Sequence, residues 1–498
     1  MNFAQHLLGC AERHPEALAV ADGAERVTYG ELLVAAQRIA GALTELGLRP
    51  GDRVACALRN RHETVLLWWA TQWLGGVFVP LNWRLRPDEL QYCVEDAESA
   101  LVVVESASAG VAGLITGVPV VDVDAQQGTP FAALRLGEPA AGALDRDEGE
   151  PALMLYTSGT TGRPKGVPRS ATAERAAALA HVAQCGYRAG ERTLGVMPLY
   201  HTMGQRSLLA MSFVGGSLHL QADWSAPAAL ALIEQAGLTC LYLAPTLFHD
   251  LLLAQAEQPA SVASVRRIAY AGAPMTGVLV ERCVEAFDPE VFVNHYGSTE
   301  VYTFTINADQ RAKPGCAGRP GINERIRLVR PELDASPDEL VAPGEVGQVA
   351  CSLASDEAFS GYWRRPDADA KQLRDGWYFP GDLGQWDADG DLWIVGRIDD
   401  MIISGGENVH PLEIEELLVR HPAVQEAAVV GLPDERLGHA VTAFIVASHA
   451  VTAEELDEHC LASPKLARFK RPRAYVFLDE LPKSASGKLL RRLLKEQQ

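Results

Sequence analysis

The sequence predicts an α/β protein: a large N-terminal domain of layered α/β units with mostly parallel sheets, then a small α+β C-terminal domain. Three observations carry this expectation. Short apolar, β-branched runs alternate with helix-like runs for most of the length. Near residue 376 the character changes to a Gly-, Asp- and Trp-rich stretch, "DGWYFPGDLGQWDADGDLWIVGR". After Asp399 comes a compact pattern of about a hundred residues, a comfortable size for a second domain. The boundary is placed at "GRIDDM", dividing 1–398 from 399–498.

Taken in order, "RVACALRN" reads as a strand, "HETVLLWWATQWLG" as a helix and "GVFVPLN" as the next strand. "ALVVVES", "VPVVDVD" and "PALMLY" are further strands. "RTLGVMPLY", "SLHLQA", "TCLYLAP", "VRRIAYAGA" and "VFVNHYG" are short and β-rich, separated by helical stretches such as "PAALALIEQAG", "TLFHDLLLAQAE" and "TGVLVERCVEAF". Asp389–Gly390 marks a hairpin turn. Beyond Asp399 the order is strand, helix "PLEIEELLVRH", two strands, helix "TAEELDEHCLA", a strand and a basic helix. Ligands in such folds sit beyond the carboxyl ends of strands. The segments "TSGTTG", "YHTMG", "GAP" and "HYGSTE" each follow a strand, so one cleft can gather them.

Composition narrows the partners. A net charge of −20 over 498 residues argues against nucleic acid or an anionic membrane. From Ser463 to the end, ten Lys/Arg face only three acids, which reads either as an anion-binding end or as a solvated face. Nine scattered cysteines without a C-x-x-C pair fit reduced thiols in a cytoplasm. The N-terminus has neither the basic start nor the apolar core of a secretion signal, and no apolar run reaches membrane-spanning length.

The stretch "YTSGTTGRPKG", Tyr156–Gly166, is the strongest chemical signal. Glycines admit a ligand close to the backbone, Ser158, Thr160 and Thr161 offer hydroxyls, and Arg163 and Lys165 add positive charge. A glycine-rich loop after a strand suggests a phosphate cradle. The spacing is not that of a P-loop, because Lys165 falls three residues after Gly162 and precedes Gly166.

This stretch, "NHYGSTE", "GWYFPGDLG" with "GRIDDMIISGGENVHPLEIE", and "LPKSASGKLLRR" occur in one order across almost the whole chain. Together they resemble the adenylate-forming superfamily of acyl-CoA synthetases, carrier-protein adenylation domains and luciferases. "MPLYH", "DDMIISGGEN" and "FKRP" look closest to aryl carboxylate–CoA ligases of the para-halobenzoate type. The resemblance implies an ATP-dependent acid–CoA ligase. Such an enzyme joins a carboxylate to AMP with release of pyrophosphate, then passes the acyl group to the thiol of coenzyme A. Bringing two anions together calls for cations, and Mg2+ held by one carboxylate suits this.

Carried over by resemblance, Lys488, Thr299 and Glu300 are the catalytic candidates, with Glu300 also the metal ligand. ATP or AMP would meet Thr157, Ser158, Gly159, Thr160, Thr161, Lys165, Gly272, Ala273, Pro274, Asn294, Tyr296, Gly297, Asp382 and Arg397. The acyl pocket would comprise His201, Thr202, Met203, Tyr242, His295, Tyr302 and Thr303. CoA would meet Arg84, Gly405, Gly406, Phe469, Arg471 and Arg473. The C-terminal domain would be mobile, turning about Asp399 so that Lys488 makes way for the thiol. Two departures stand out: Leu437 where halobenzoate ligases carry a tryptophan that stacks on the CoA adenine, and Pro380 where the family often has threonine.

The aromatic and polar pocket residues suggest a small aromatic or heteroaromatic acid. His295 reads either as a pocket residue or as a core histidine bonded to backbone. The alternative function is a stand-alone adenylation enzyme that loads an aryl or short acyl group onto a carrier protein; Leu437 keeps it open. A scaffold without chemistry is a third reading, opposed by the retained Thr299, Glu300, Asp382, Arg397 and Lys488. The expected protein is cytoplasmic, a monomer or homodimer, with no nucleic-acid or membrane partner.

Overall fold

The strands and helices anticipated above form where the apolar runs place them. The structure, a computed structural model, describes residues 1–108, 110, 115–125, 131–157, 163–464, 466–483 and 489–496. Among these, the strands make four sheets. The largest has nine strands, and its centre is parallel: Val291–Tyr296, Arg267–Tyr270, Cys240–Leu243, Arg192–Gly195, Ser217–Leu220 and Leu18–Asp22. A second sheet runs Val120–Asp122, Ser99–Val104, Arg53–Ala57, Val77–Pro80, Pro151–Thr157, Lys165–Ser170. It is parallel until its last pair, which is antiparallel and encloses the glycine-rich stretch.

Helix His62–Leu74 shows why the layers hold. Eleven of its thirteen residues are buried, so it is an interior helix without a polar face. Trp68 and Trp69 pack edge-on at 4.5 Å, and Phe3 meets Trp68 at 5.1 Å. Helix Tyr29–Glu45 starts where Thr28 and Glu31 cap each other's backbone N–H.

The third sheet departs from the expected parallel pattern. Ile326–Val329, Val346–Ser352, Leu373–Arg374, Trp377–Tyr378, Asp382–Trp386 and Leu392–Arg397 pair antiparallel. Two of its pairs, Leu373–Arg374 with Trp377–Tyr378 and Asp382–Trp386 with Leu392–Arg397, are joined by tight turns, and in the second Gly390 N donates to Asp387 O at 3.1 Å. Strands joined by such short turns can pair only antiparallel, because a parallel pair needs a crossover connection.

The small C-terminal domain has a five-stranded sheet built on Val424–Asp434 and Gly438–Ala447. Helices Pro411–Leu418 and Ala453–Ala462 contribute Ile414, Leu418, Leu456 and Cys460 to a core with Val429, Ala443 and Ile445. A 3-10 turn, Ile398–Asp400, connects strand Leu392–Arg397 of the antiparallel sheet to strand Ile402–Ser404 of the five-stranded sheet. Among the described residues, no helix is long and apolar enough to cross a membrane.

Candidate active site

Parallel strands release their following loops at one edge of the sheet. "MPLYH" follows Arg192–Gly195, "GAP" follows Arg267–Tyr270 and "GSTE" follows Val291–Tyr296, so three of the four unusual segments leave the large sheet on the same side.

On one flank, His201 caps helix Thr202–Phe213 and receives Met203 N–H on Nδ1 at 3.4 Å. Met203 is buried, and a Cβ on Gly272 would come within 3.7 Å of its sulfur, which ties the Gly272–Ala273–Pro274 turn to this flank. Tyr242 and His295 are buried with ring centroids 5.6 Å apart, and His181 packs against both, at 4.6 and 4.8 Å. Burial, with the Arg206 charge behind it, pushes the His295 imidazole well below its ordinary pKa, so the ring is neutral. Neither of its nitrogens has a hydrogen-bond partner. His295 is therefore not a core histidine tied to backbone. Tyr302 and Thr303 are also buried.

The opposite flank holds two polar networks. In the first, Tyr296 donates its hydroxyl to Asp382 Oδ2 at 2.6 Å, while Arg397 Nη1 donates to Oδ1 at 2.6 Å and Nη2 to Pro380 O at 3.0 Å. Asp382 and Arg397 face each other across one strand pair, which fixes this geometry. Asn294 donates to Cys316 O at 3.0 Å. In the second, Tyr362 O–H lies 2.6 Å from Glu300 Oε1 and 2.6 Å from Gln372 Oε1. Lys165 Nζ donates to Gln372 Oε1 at 2.8 Å and rests 4.0 Å above the Tyr362 ring. Burial lowers the Lys165 pKa, and the Glu300 charge opposes that. An aromatic ladder joins the networks: Tyr296 to Phe304 at 5.0 Å, Phe304 to Tyr378 at 6.1 Å, Tyr378 to Phe359 at 5.8 Å, Phe359 to Tyr362 at 5.0 Å.

The turn between the networks is rigid. Ser298 Oγ accepts Glu300 N–H at 3.2 Å and Val301 N–H at 3.3 Å, presenting half-buried Thr299 and buried Glu300. A Cβ on Gly297 would collide with the Tyr302 carbonyl, so only glycine fits there. From beneath, buried Arg169 braces the same turn. Its Nη1 donates to Glu300 O at 2.9 Å and Glu357 O at 2.7 Å, and its Nε pairs with Glu174 at 2.7 Å.

Other expected residues stand apart. Thr157 and Lys165 flank the glycine-rich loop, with Thr157 Oγ1 3.5 Å from Lys165 O. Ser158, Gly159, Thr160, Thr161 and Lys488 lie outside the described residues. Gly405 and Gly406 are exposed with φ of +61° and +89°, a conformation that suits glycine. Gly405 N donates to Leu437 O at 2.8 Å, so Leu437 borders that turn. Arg473 and Phe469 are exposed, whereas Arg471 is paired with Asp457. Arg84 is exposed and stacks on Trp83 at 4.0 Å. Asp399 is exposed within the 3-10 turn Ile398–Asp400, and neighbouring Asp400 lies 3.6 Å from Arg491.

Residues 9–363 match the family described as AMP-binding enzyme, and residues 413–488 match its C-terminal domain. The chain belongs to the AMP-binding enzyme family. The 4-chlorobenzoate–CoA ligase of Arthrobacter sp is 35% identical over 98% of this chain and 93% of its own length. The fatty acid–[acyl-carrier-protein] ligase ScoC of Streptomyces coeruleorubidus is 34% identical over 98% and 94%. The o-succinylbenzoate CoA synthetase of Bacillus subtilis, bound to its acyl-adenylate intermediate, aligns with TM-score 0.86 and 30% identity over 99% of this chain and 98% of that one. The same synthetase with ATP and magnesium aligns with TM-score 0.84 and 30% identity over 98% and 99%.

Within this AMP-binding enzyme, sequence reading passed over Tyr362, Gln372, Arg169, Arg206 and His181. Tyr362 sits in "SGYWRRP", a stretch with no local spacing that marks its tyrosine. Arg169 and Arg206 had one signal, a lone charge inside an otherwise apolar or small-residue run, "GVPRSATA" and "GQRSLLAMSF".

Proposed function

We propose that this AMP-binding enzyme is an AMP-forming acid–CoA ligase, using ATP to adenylate a small aromatic or heteroaromatic carboxylic acid and then transferring the acyl group to CoA. The observation that carries this reading is the pair of polar networks, one around Asp382 suited to a ribose and base, the other around Glu300 and Lys165 suited to phosphates. Asp382 is a carboxylate fixed from both sides, with lone pairs left to accept ribose hydroxyls. Tyr296 offers its ring to the adenine, beside Asn294 and the Gly272–Ala273–Pro274 turn. Lys165, held by an amide and a ring, is a compact cation for the β- and γ-phosphates.

Glu300 fits a magnesium ion, because it is a hard oxygen donor locked in orientation by Tyr362 and by the Ser298 turn. When bound, Mg2+ supplies positive charge to the phosphate oxygens as pyrophosphate leaves. Thr299 holds the α-phosphate by a hydroxyl hydrogen bond. Lys488 bridges the attacking carboxylate and the α-phosphate, lowering the repulsion between two anions in the transition state. The substrate carboxylate is already ionised at neutral pH and needs no general base, so His201 lines or gates the pocket.

Thiolysis needs Lys488 removed and the acyl carbon open. The domains are assigned as 1–398 and 399–498, with the small one turning at Asp399. Gly405 and Gly406 then leave room for the pantetheine arm, and Arg84, Phe469, Arg471 and Arg473 face the CoA phosphates and base. A carrier protein as acceptor is the second reading. It is favoured by Leu437, which cannot stack on adenine, and by the carrier-protein ligase among the relatives. A cytoplasmic location fits nine free cysteines.

The test is pyrophosphate release with ATP, magnesium and a panel of aryl, heteroaryl and fatty acids, each with and without CoA. Acid-dependent release that turns over only with CoA is expected. Activation that stalls without a carrier protein moves the assignment to the second reading. Fatty-acid preference removes the aryl assignment.

A further inference from the structure

We infer that the acyl pocket ends in a polar receptor centred on Arg206, which selects acids carrying a second hydrogen-bond-accepting group opposite the reacting carboxylate. The inference rests on the ligase reading for the identity of the pocket, and on the buried side chains for its chemistry.

Arg206 lies one turn beyond Thr202 and Met203 on helix Thr202–Phe213, on the face those two present. It is only 2% exposed. None of its three guanidinium nitrogens has an acceptor at good hydrogen-bond geometry, and the Tyr242 hydroxyl is close enough to feel it as a donor. Glu357, the nearest counter-charge, stands 3.7 Å from Nη2, at ion-pair distance but beyond a good hydrogen bond. The Tyr302 ring is 5.1 Å from Cζ, and Arg169 occupies a position 4.0 Å from that ring.

Other buried groups also lack hydrogen-bond partners: both nitrogens of His295, the Tyr302 and Thr303 hydroxyls, both amide atoms of Gln184, and Glu357 Oε2, the acceptor that Arg206 faces across 3.7 Å. Gln184 and Thr303 meet at Gly321, where a Cβ would lie 3.4 and 3.1 Å from them. Each unpaired buried polar group costs about 1–3 kcal/mol, and folded chains rarely concentrate several in one place. An incoming acceptor relieves the cost. Arg206 has only donors to offer, neutral His295 has one, and Thr303 and Gln184 can donate as well.

A metal is the competing occupant, because His181, Cys185 and His295 bring ligand atoms within 4.8 Å of one another. Three features oppose it. The Arg206 charge acts on both histidines. His181 Nε2 already meets the Tyr187 hydroxyl at 3.2 Å. Burial raises the Cys185 pKa, so the sulfur is a thiol, whereas the metal ligand is the thiolate. A guanidinium calls for an acceptor instead: a ring hydroxyl oxygen or a second carboxylate.

The test compares isosteric acids in the wild type, Arg206→Met and Thr303→Val. The acids are 3- and 4-hydroxybenzoate against 3- and 4-methylbenzoate, with benzene-1,4-dicarboxylate as the anionic arm. Pyrophosphate release gives kcat/KM, and calorimetry gives acid binding directly. The wild type is expected to favour a hydroxy or dicarboxy acid over its methyl counterpart by at least about 100-fold. In Arg206→Met that ratio falls to within about threefold. Thr303→Val, which loses one hydroxyl, lowers it by about tenfold and covers the case in which Arg206→Met does not fold. Equal handling of the isosteres by the wild type, or a uniform loss on all acids in the variants, overturns the inference. If no acid releases pyrophosphate, the ligase reading has failed and calorimetry decides here: Arg206-dependent binding of the acceptor-bearing acid sustains the receptor, and its absence overturns it.

Discussion

Replacing Tyr362 by phenylalanine isolates one hydrogen bond of the network proposed to hold the phosphates. The phenol has a single proton and faces two acceptors at 2.6 Å, Glu300 Oε1 and Gln372 Oε1. The carboxylate is the stronger acceptor, so the proton belongs to Glu300. The substitution keeps the ring, and with it the 4.0 Å contact to Lys165 Nζ. What is lost is a charge-assisted bond to a carboxylate that is 6% exposed. Such a bond is worth about 1.5–3 kcal/mol, and at about 1.4 kcal/mol per factor of ten this is about 10- to 150-fold. Because Tyr362 acts through Glu300, the loss belongs in the magnesium dependence. A titration of Mg2+ in the pyrophosphate-release assay should need more metal and reach a lower rate in Tyr362→Phe, while the KM for the acid stays put. A variant with wild-type magnesium dependence and rate refutes the positioning role.

Arg169→Met should destabilise the large domain by about 3–5 kcal/mol, because it strands the buried Glu174 carboxylate and two carbonyls. Denaturant unfolding checks this, and the double variant Arg169→Met/Glu174→Leu should recover part of the loss; no recovery would mean that the pair is not coupled. Glu324 supplies a pH dependence of stability. Burial raises its carboxyl pKa to about 8 in the folded protein, against an ordinary value of 4.5. Between those values the unfolded chain gives up the proton while the folded one keeps it. Stability from this group is thus complete below pH 4.5 and falls by about 1.4 kcal/mol per pH unit until about pH 8. Unfolding midpoints of Glu324→Gln should therefore decline less than those of the wild type between pH 5 and 8, and parallel slopes would exclude the assignment.

The parts of the fold legible in the sequence are those with a strong local pattern. Val54–Ala57, Val102–Val104 and Leu241–Leu243 are continuous apolar runs in parallel sheets buried on both faces, and such runs announce themselves. The antiparallel sheet of residues 326–397 was less visible, since two of its strands are only two residues long. Loops with unusual chemistry were legible because each follows such a strand. Their partners were not. Lys165 and Gln372 are 207 residues apart, and Glu300 and Tyr362 are 62 apart. A network closed only by folding leaves no local spacing to read.

That difference has a physical origin in what each group must recognise. In the proposed reaction every acid brings the same carboxylate to one end of the cleft, where ATP always brings the same three phosphates and ribose. Residues serving those atoms sit in short loops at strand ends, where Gly297 permits a tight turn and Ser298 fixes it, and a loop of that kind has a compact sequence signature. The other end of the substrate varies, so its contacts come from the interior faces of ordinary elements, Arg206 from the middle of a helix and His295 from a strand. A charged residue there costs stability unless something pairs with it. A guanidinium in a packed wall, ion-paired at arm's length but short of hydrogen bonds, is thus the trace we infer substrate choice to leave in the structure, and it is visible only once the burial of Arg206 and the distance to Glu357 are known.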